Sequence, residues 1–210
     1  MIQIIPAILA TSEEDYKRDI ARYKKEKLFD WVHIDFADNK FVPNQSISPV
    51  VTAKYPTDLH KEAHLMILQP LEWIDSLIAF GFERIILHIE AEDVEETLKY
   101  IISKGIKVGL AIKNETAIEK LPRFIGKIGM ILVMSIEPGF QGQPFINESL
   151  NKISRIKNYN WPVKIAVDGA IKDQNAASLV KAGVDCLIVG SYLLKGNIDE
   201  NLKKIRAAIK

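Results

Sequence analysis

The chain reads as an α/β protein folded into a (β/α)₈ barrel, and three observations predict it. Eight short runs rich in Val and Ile alternate along the 210 residues with longer segments of helical period. The runs are apolar enough for burial on both faces, as befits parallel strands covered by helices. The first strand-to-helix turn, from Pro6 through Ala7 to Asp15, contains no glycine. An open doubly wound sheet would be expected to carry a Gly-rich dinucleotide fingerprint there.

The predicted strands cover residues 3–8, 31–35, 59–67, 84–88, 107–112, 130–135, 163–168 and 185–190. Each is followed by a segment that can form a helix. The first opens on Thr11-Ser12-Glu13-Glu14, which has capping-box spacing, and sets Tyr16, Ile20 and Tyr23 on one apolar stripe. Leu71, Ile74, Leu77 and Ile78 form the stripe of the third helix, which Gly81 ends. Leu98, Ile101 and Ile102 form that of the fourth, which Gly105 ends. No Ser-rich or low-complexity linker interrupts the series, so residues 1–210 are expected to form one barrel domain.

Composition narrows the function. Hydrophobic residues make up 48% of the chain and charged residues 26%, which suits one sizeable core. The 28 Lys and Arg balance 27 Asp and Glu, so no basic field exists to draw nucleic acid or a membrane surface, and anion binding must be local. The single cysteine, Cys186, sits in an apolar run and reads as a small buried hydrophobe, with no disulfide framework. The apolar N-terminus lacks a positive leading region, and no run is long enough to span a bilayer; a cytoplasmic location is expected.

Barrels place their chemistry at the C-terminal ends of the strands. On the second run, His33 and Asp35 are two apart, so both point to one face while Ile34 points to the other. The third run adds His64 with Met66 in the same phase, and the seventh ends on Asp168 after small Ala166. Two imidazoles and two carboxylates suit one divalent transition metal ion, Zn²⁺, Fe²⁺, Mn²⁺ or Co²⁺, better than Ca²⁺ or Mg²⁺, which prefer oxygen shells. His60 and His88 are read as structural. Glu62, in phase with His64, can either support a ligand or be an ordinary solvated or salt-bridged glutamate. Glycine turns follow the last three strands: around Gly139 and Gly142, at Gly169, and at Gly190-Ser191. Backbone N–H groups in such turns can cradle a phosphate without net positive charge.

At these residues the chain resembles the ribulose-phosphate 3-epimerase family over essentially its whole length. The second-strand signature appears as His33-Ile34-Asp35-Phe36-Ala37-Asp38 followed by Phe41-Val42-Pro43-Asn44, and His64-Leu65-Met66-Ile67 is similar to the third-strand motif. Residues 133–143 resemble the phosphate loop, and Val167-Asp168-Gly169 and Gly190-Ser191 the last two turns. The resemblance implies a TIM barrel of the ribulose-phosphate-binding type that inverts C3 of D-ribulose 5-phosphate to D-xylulose 5-phosphate in the pentose phosphate pathway. It implies that His33, Asp35, His64 and Asp168 hold a metal, Zn²⁺ or Fe²⁺ foremost, and that Asp35 and Asp168 are the acid/base pair. Ala7, His64, Met66, Met134, Gly139, Phe140, Gln141, Gly142, Gly169, Ala170, Gly190 and Ser191 then meet the sugar phosphate. No organic cofactor is required, and a homo-oligomer is expected.

Departures from the family pattern lie near this site. Ala7 stands in place of a serine, Ala37 of a methionine, Asn39 of a glycine, Lys40 of a histidine and Ala170 of a second glycine. They leave two further functions in view: a 3-epimerase for a hexulose phosphate such as D-allulose 6-phosphate, and a non-catalytic sugar-phosphate sensor. A Schiff-base aldolase would use Lys113, at the end of the fifth strand. Residues 136–146 are a candidate lid.

Overall fold

The computed structural model describes residues 2–210, and among them eight parallel strands, paired in chain order, close into a barrel. They are β1 (Gln3–Ile8), β2 (Trp31–Ala37), β3 (His60–Met66), β4 (Phe82–His88), β5 (Lys107–Ile112), β6 (Met130–Met134), β7 (Lys164–Asp168) and β8 (Cys186–Val189). All eight predicted strands are present, with ends displaced by one or two residues. None of the helices among the described residues is long and apolar enough to cross a membrane.

Period-two alternation divides the apolar residues into two cores. Ile5, Ala7, Ile86, Ala111, Met130, Leu132, Met134, Ala166, Cys186 and Ile188 pack inside the barrel. Ile34, Leu65, Leu87, Leu110, Ile131, Val133, Val167 and Leu187 point outward, against the helices. Cys186 is one of the inward set, and burial pushes its thiol pKa up, away from reactivity.

The first helix, α1 (Glu13–Glu26), is capped one residue later than the Thr11-to-Glu14 spacing suggests, by Ser12. Ser12 accepts the Asp15 backbone N–H at 3.1 Å and donates its hydroxyl to the Asp15 carboxylate at 2.7 Å. Tyr16, Ile20 and Tyr23 are buried along one face. Further helices are α2 (Pro49–Ala53), α3 (Ile74–Ala79), α4 (Val94–Ser103), α5 (Glu148–Asn158), α6 (Asp173–Ala182), α7 (Ser191–Leu194) and α8 (Ile198–Ala208). In α4, Leu98 and Ile101 are buried but Ile102 is exposed.

One βα unit departs from the expected pattern. Between β5 and β6 the chain forms two 3₁₀ turns, Ile118–Lys120 and Pro122–Phe124, in place of an α-helix. The buried residues are Ile118, Leu121 and Phe124, three apart. That spacing aligns side chains on a 3₁₀ turn, whereas an α-helix rotates them progressively, and Pro122 supplies no N–H for a continuous ladder.

The turn after β7 has left-handed backbone at two successive residues, Gly169 (φ 117°) and Ala170 (φ 51°). A Cβ at Gly169 would stand 2.6 Å from Ile136 Cγ1 and 2.9 Å from the Ile136 backbone nitrogen. Asn39, like Ala170 read as standing in place of a family glycine, also has positive φ, at 58°. Opposite outcomes are expected from neighbouring substitutions. Gly169→Ala should lower stability by about 2–4 kcal/mol through strain and overlap. Ala170→Gly should raise it by up to about 1 kcal/mol, as relief of the left-handed strain outweighs added chain freedom. Urea unfolding midpoints of the two variants check this pair of signs.

Candidate active site

Strand register assembles the polar cluster. β2 and β3 pair His33 with Glu62, Asp35 with His64 and Ala37 with Met66, and β6 and β7 pair Met134 with Asp168. Closure of the barrel then brings β7 across from β2 and β3. His33, Asp35, His64 and Asp168 each offer a ligand atom, and these atoms lie within 4.8 Å of one another. His64 Nδ1 is 2.8 Å from Asp35 Oδ1 and 3.9 Å from Asp168 Oδ2, and His33 Nε2 is 3.2 Å from Asp35 Oδ1. Both histidines are fully buried, and the Asp35 side chain is 9% exposed.

Burying such a group is costly unless its polar atoms are paired, and the outer nitrogen of each histidine has a partner. His33 Nδ1 lies 2.7 Å from Glu62 Oε1, and Glu62, itself without exposure, receives the Arg84 guanidinium at 2.5 Å. The Arg84 guanidinium rests 4.4 Å above the Trp31 ring. Glu62 is therefore not solvated: it is both salt-bridged to Arg84 and hydrogen-bonded to His33. His88 is also fully buried, with Nε2 2.9 Å from His64 Nε2 and Nδ1 3.1 Å from Glu90 Oε2. His60 stands apart, half exposed, on Glu83 and the Trp31 ring. His88 is thus the hydrogen-bonded core residue expected of it, but its partner Glu90 was not anticipated, although the spacing of the two is that of His33 and Asp35.

The electrostatics set the two aspartates apart. Burial favours the neutral form of Asp35, but the His33 and His64 rings overcome it and hold its carboxyl well below the usual range. Burial, reinforced by the Asp35 charge, pushes Asp168 up to about 6. For His33, burial acts to lower the pKa, yet Asp35 and Glu62 raise it well above the ordinary imidazole value. Burial drives His88 down to about 4. The donor set, two imidazole nitrogens and two carboxylates converging on one point, fits a divalent transition ion.

Above the cluster opens a cleft lined by Asp35 and Asp168. Ala7, Met66, Met134, Gly139, Phe140, Gln141, Gly142, Gly169, Ala170, Gly190 and Ser191 all border it. His64 lies beneath, within the cluster. Leu9, Ile136, Ile171, Lys172, Ile188 and Tyr192 line it as well, without having been anticipated. Leu9 and Ile188 follow from strand phase with Ala7 and Cys186; Lys172, an exposed cation, adds a positive charge to the mouth. The segment after β2 braces the loop after β6. Val42 packs on Gly139, and the Asn44 amide donates to the Gly139 carbonyl at 2.5 Å. Lys113 Nζ sits 4.5 Å over the Phe41 ring, and Lys113 is not among the residues that border the cleft.

A sequence model of the ribulose-phosphate 3 epimerase family matches residues 3–194. The chain belongs to the ribulose-phosphate 3-epimerase family. It is thereby an isomerase acting on carbohydrates. Relatives of that name come from Chlamydia pneumoniae, 40% identical over 177 residues that cover 80% of this chain and 77% of the relative, and Chlamydia muridarum, 38% identical over 186 residues, 84% and 82%. Among solved structures, 3-hexulose-6-phosphate synthase from Salmonella typhimurium superposes with a TM-score of 0.73 over 99% of this chain and 98% of that one. At 13% identity it shares the fold alone.

Metal binding to this epimerase-family cluster must displace protons, because ligands bind in their deprotonated forms. His33 is held well above its ordinary value, so it keeps its proton more tightly than a free imidazole; Asp168 gains one as pH falls through about 6. Titrating metal-free protein with Zn²⁺ should release protons, more of them per ion near pH 5.5 than at pH 7, with affinity falling in step. Calorimetry in buffers of unequal ionisation heat measures this number.

Proposed function

We propose that this chain is a metal-dependent ribulose-phosphate 3-epimerase, converting D-ribulose 5-phosphate to D-xylulose 5-phosphate in the pentose phosphate pathway by two-base proton transfer. The observation that carries the reading is the pair Asp35 and Asp168. They reach one cleft from β2 and β7, strands separated by β1 and β8, with one carboxyl held low and the other near 6.

The C3 proton of a 2-ketose is acidified by the neighbouring C2 carbonyl. Epimerisation requires its removal from one face and delivery to the other. An ionised Asp35 can take the proton while Asp168, whose environment favours its acid form, gives one on the opposite side; the roles exchange for the reverse reaction. A divalent ion held by His33, Asp35, His64 and Asp168 would supply Lewis-acid stabilisation of the charge that develops on the substrate oxygens. Met66 and Met134 offer an apolar wall that keeps water from the enediolate. Backbone N–H groups at Gly139 to Gly142, Gly169, Ala170, Gly190 and Ser191 form the phosphate cradle, with Lys172 at its edge. A cytoplasmic homo-oligomer belongs to the same reading and rests on the family.

A hexulose phosphate is the competing substrate, favoured by one observation: Ala7, a methyl group where the family has a hydroxyl, borders the cleft. A non-catalytic sensor is disfavoured by the complete four-residue cluster. The half-buried Lys113, its amine over the Phe41 ring and outside the lining of the cleft, gives no support to a Schiff base.

A coupled assay with and without Zn²⁺, Fe²⁺ or Mn²⁺ should show metal-dependent turnover of ribulose 5-phosphate exceeding that of allulose 6-phosphate; the reverse order would select the hexulose. Asp35→Asn and Asp168→Asn should each lower kcat by about 10²–10⁴-fold and abolish exchange of the C3 proton with solvent. Retained exchange in both variants would overturn the two-base assignment. Ala7→Ser should lower KM for the pentulose about five-fold, the worth of one recovered hydrogen bond.

A further inference from the structure

We propose that His88 and Glu90 are positioning residues: a buried chain from His64 through His88 to Glu90 fixes the tautomer of His64, so that Nδ1 presents its lone pair to the cluster. The inference rests on the metal-binding reading above.

With an ion held at His64 Nδ1, the geometry leaves one direction for the chain. His64 Nδ1 is the ring nitrogen that faces the carboxylates, 2.8 Å from Asp35 Oδ1, while its Nε2 lies 2.9 Å from His88 Nε2. A neutral imidazole carries one proton, so an Nδ1 that ligates an ion leaves the proton on Nε2. That N–H must donate to His88 Nε2, which therefore accepts. His88 then bears its own proton on Nδ1, 3.1 Å from Glu90 Oε2, and a carboxylate only accepts. The other oxygen, Glu90 Oε1, receives the Lys113 backbone N–H at 3.0 Å. Lys152 Nζ donates to the Lys113 and Thr116 carbonyls, at 2.6 and 2.5 Å, and ties down the segment that supplies this N–H. Phe41 covers His88, with ring centroids 4.8 Å apart.

Both His88 nitrogens are thus spent, which removes it as a competing ligand. His33 has a shorter chain of the same kind, Nδ1 to Glu62 to Arg84. Each histidine of the cluster is therefore oriented by hydrogen bonding to or through a carboxylate outside the cluster, a device known to hold metal-bound imidazoles.

Nitrogen-15 spectra of the histidine rings in the Zn²⁺-loaded, unaltered chain should show His64 protonated on Nε2 and His88 on Nδ1. A proton on His88 Nε2 would overturn the proposal. Zn²⁺ affinity, measured by chelator competition, should fall about 10–100-fold in His88→Leu. In His88→Gln, whose amide oxygen can accept near the Nε2 position, it should stay within about three-fold, a rescue that a purely structural role would not produce. Glu90→Gln should weaken binding by about 3–10-fold and serves should His88→Leu not fold. Unchanged affinity in both His88→Leu and Glu90→Gln, with tight binding to the unaltered chain, would overturn the relay alone. An unaltered chain that takes up no stoichiometric Zn²⁺ would overturn the metal reading and the relay together.

Discussion

The structure around the cleft depends on one constraint: four ionisable side chains lie close together where water scarcely reaches, and each needs compensation from protein atoms. An uncompensated buried charge costs several kcal/mol, enough to consume much of a domain's net stability. The compensation here is reciprocal. Two imidazoles hold the Asp35 carboxyl low, two carboxylates raise His33 against the effect of burial, and Asp168, left with the weakest partners, is the group that takes up a proton more readily. A bound cation would resolve the same problem from the centre. Affinity for an ion and the poise of the acid/base pair thus have one physical origin.

The second demand, holding an anion in a chain of near-zero net charge, is met by backbone. Loops after β6, β7 and β8 meet at the mouth of the cleft, and their approach depends on residues without side chains. Gly169 lies against Ile136, and Gly139 against Val42. The Ser135 hydroxyl bonds the Asp168 and Gly169 carbonyls and so joins the β6 and β7 ends that carry two of these loops.

Much of this was legible in the sequence. Val- and Ile-rich runs marked the strands because burial on both faces leaves little room for other residues, and His33 and Asp35 declared a shared face through their spacing alone. What depends on two strands at once was harder to read. Glu62 is paired with His33 by the register of β2 and β3, and His88 meets His64 through barrel twist; neither relation is written within one strand. The His88 and Glu90 spacing carries the same signal as that of His33 and Asp35, and reading His88 as merely structural overlooks the carboxylate two positions on. The 3₁₀ turns escaped for a similar reason: Ile118, Leu121 and Phe124 form a pattern that a longer helix could also have shown at first sight.

The contact between Arg84 and Glu62 has a consequence for the barrel as a whole. In this fold the N-terminal rim usually serves stability, and the opposite rim serves chemistry. Here Trp31, at the start of β2, stacks under Arg84, which holds Glu62, which holds His33 beside Asp35. A column of polar contacts runs through the interior from one rim to the other. Mutational tolerance at the lower rim is therefore not uniform: most of its surface is free to drift, but the few positions at the foot of this column are constrained by events at the far end of the molecule.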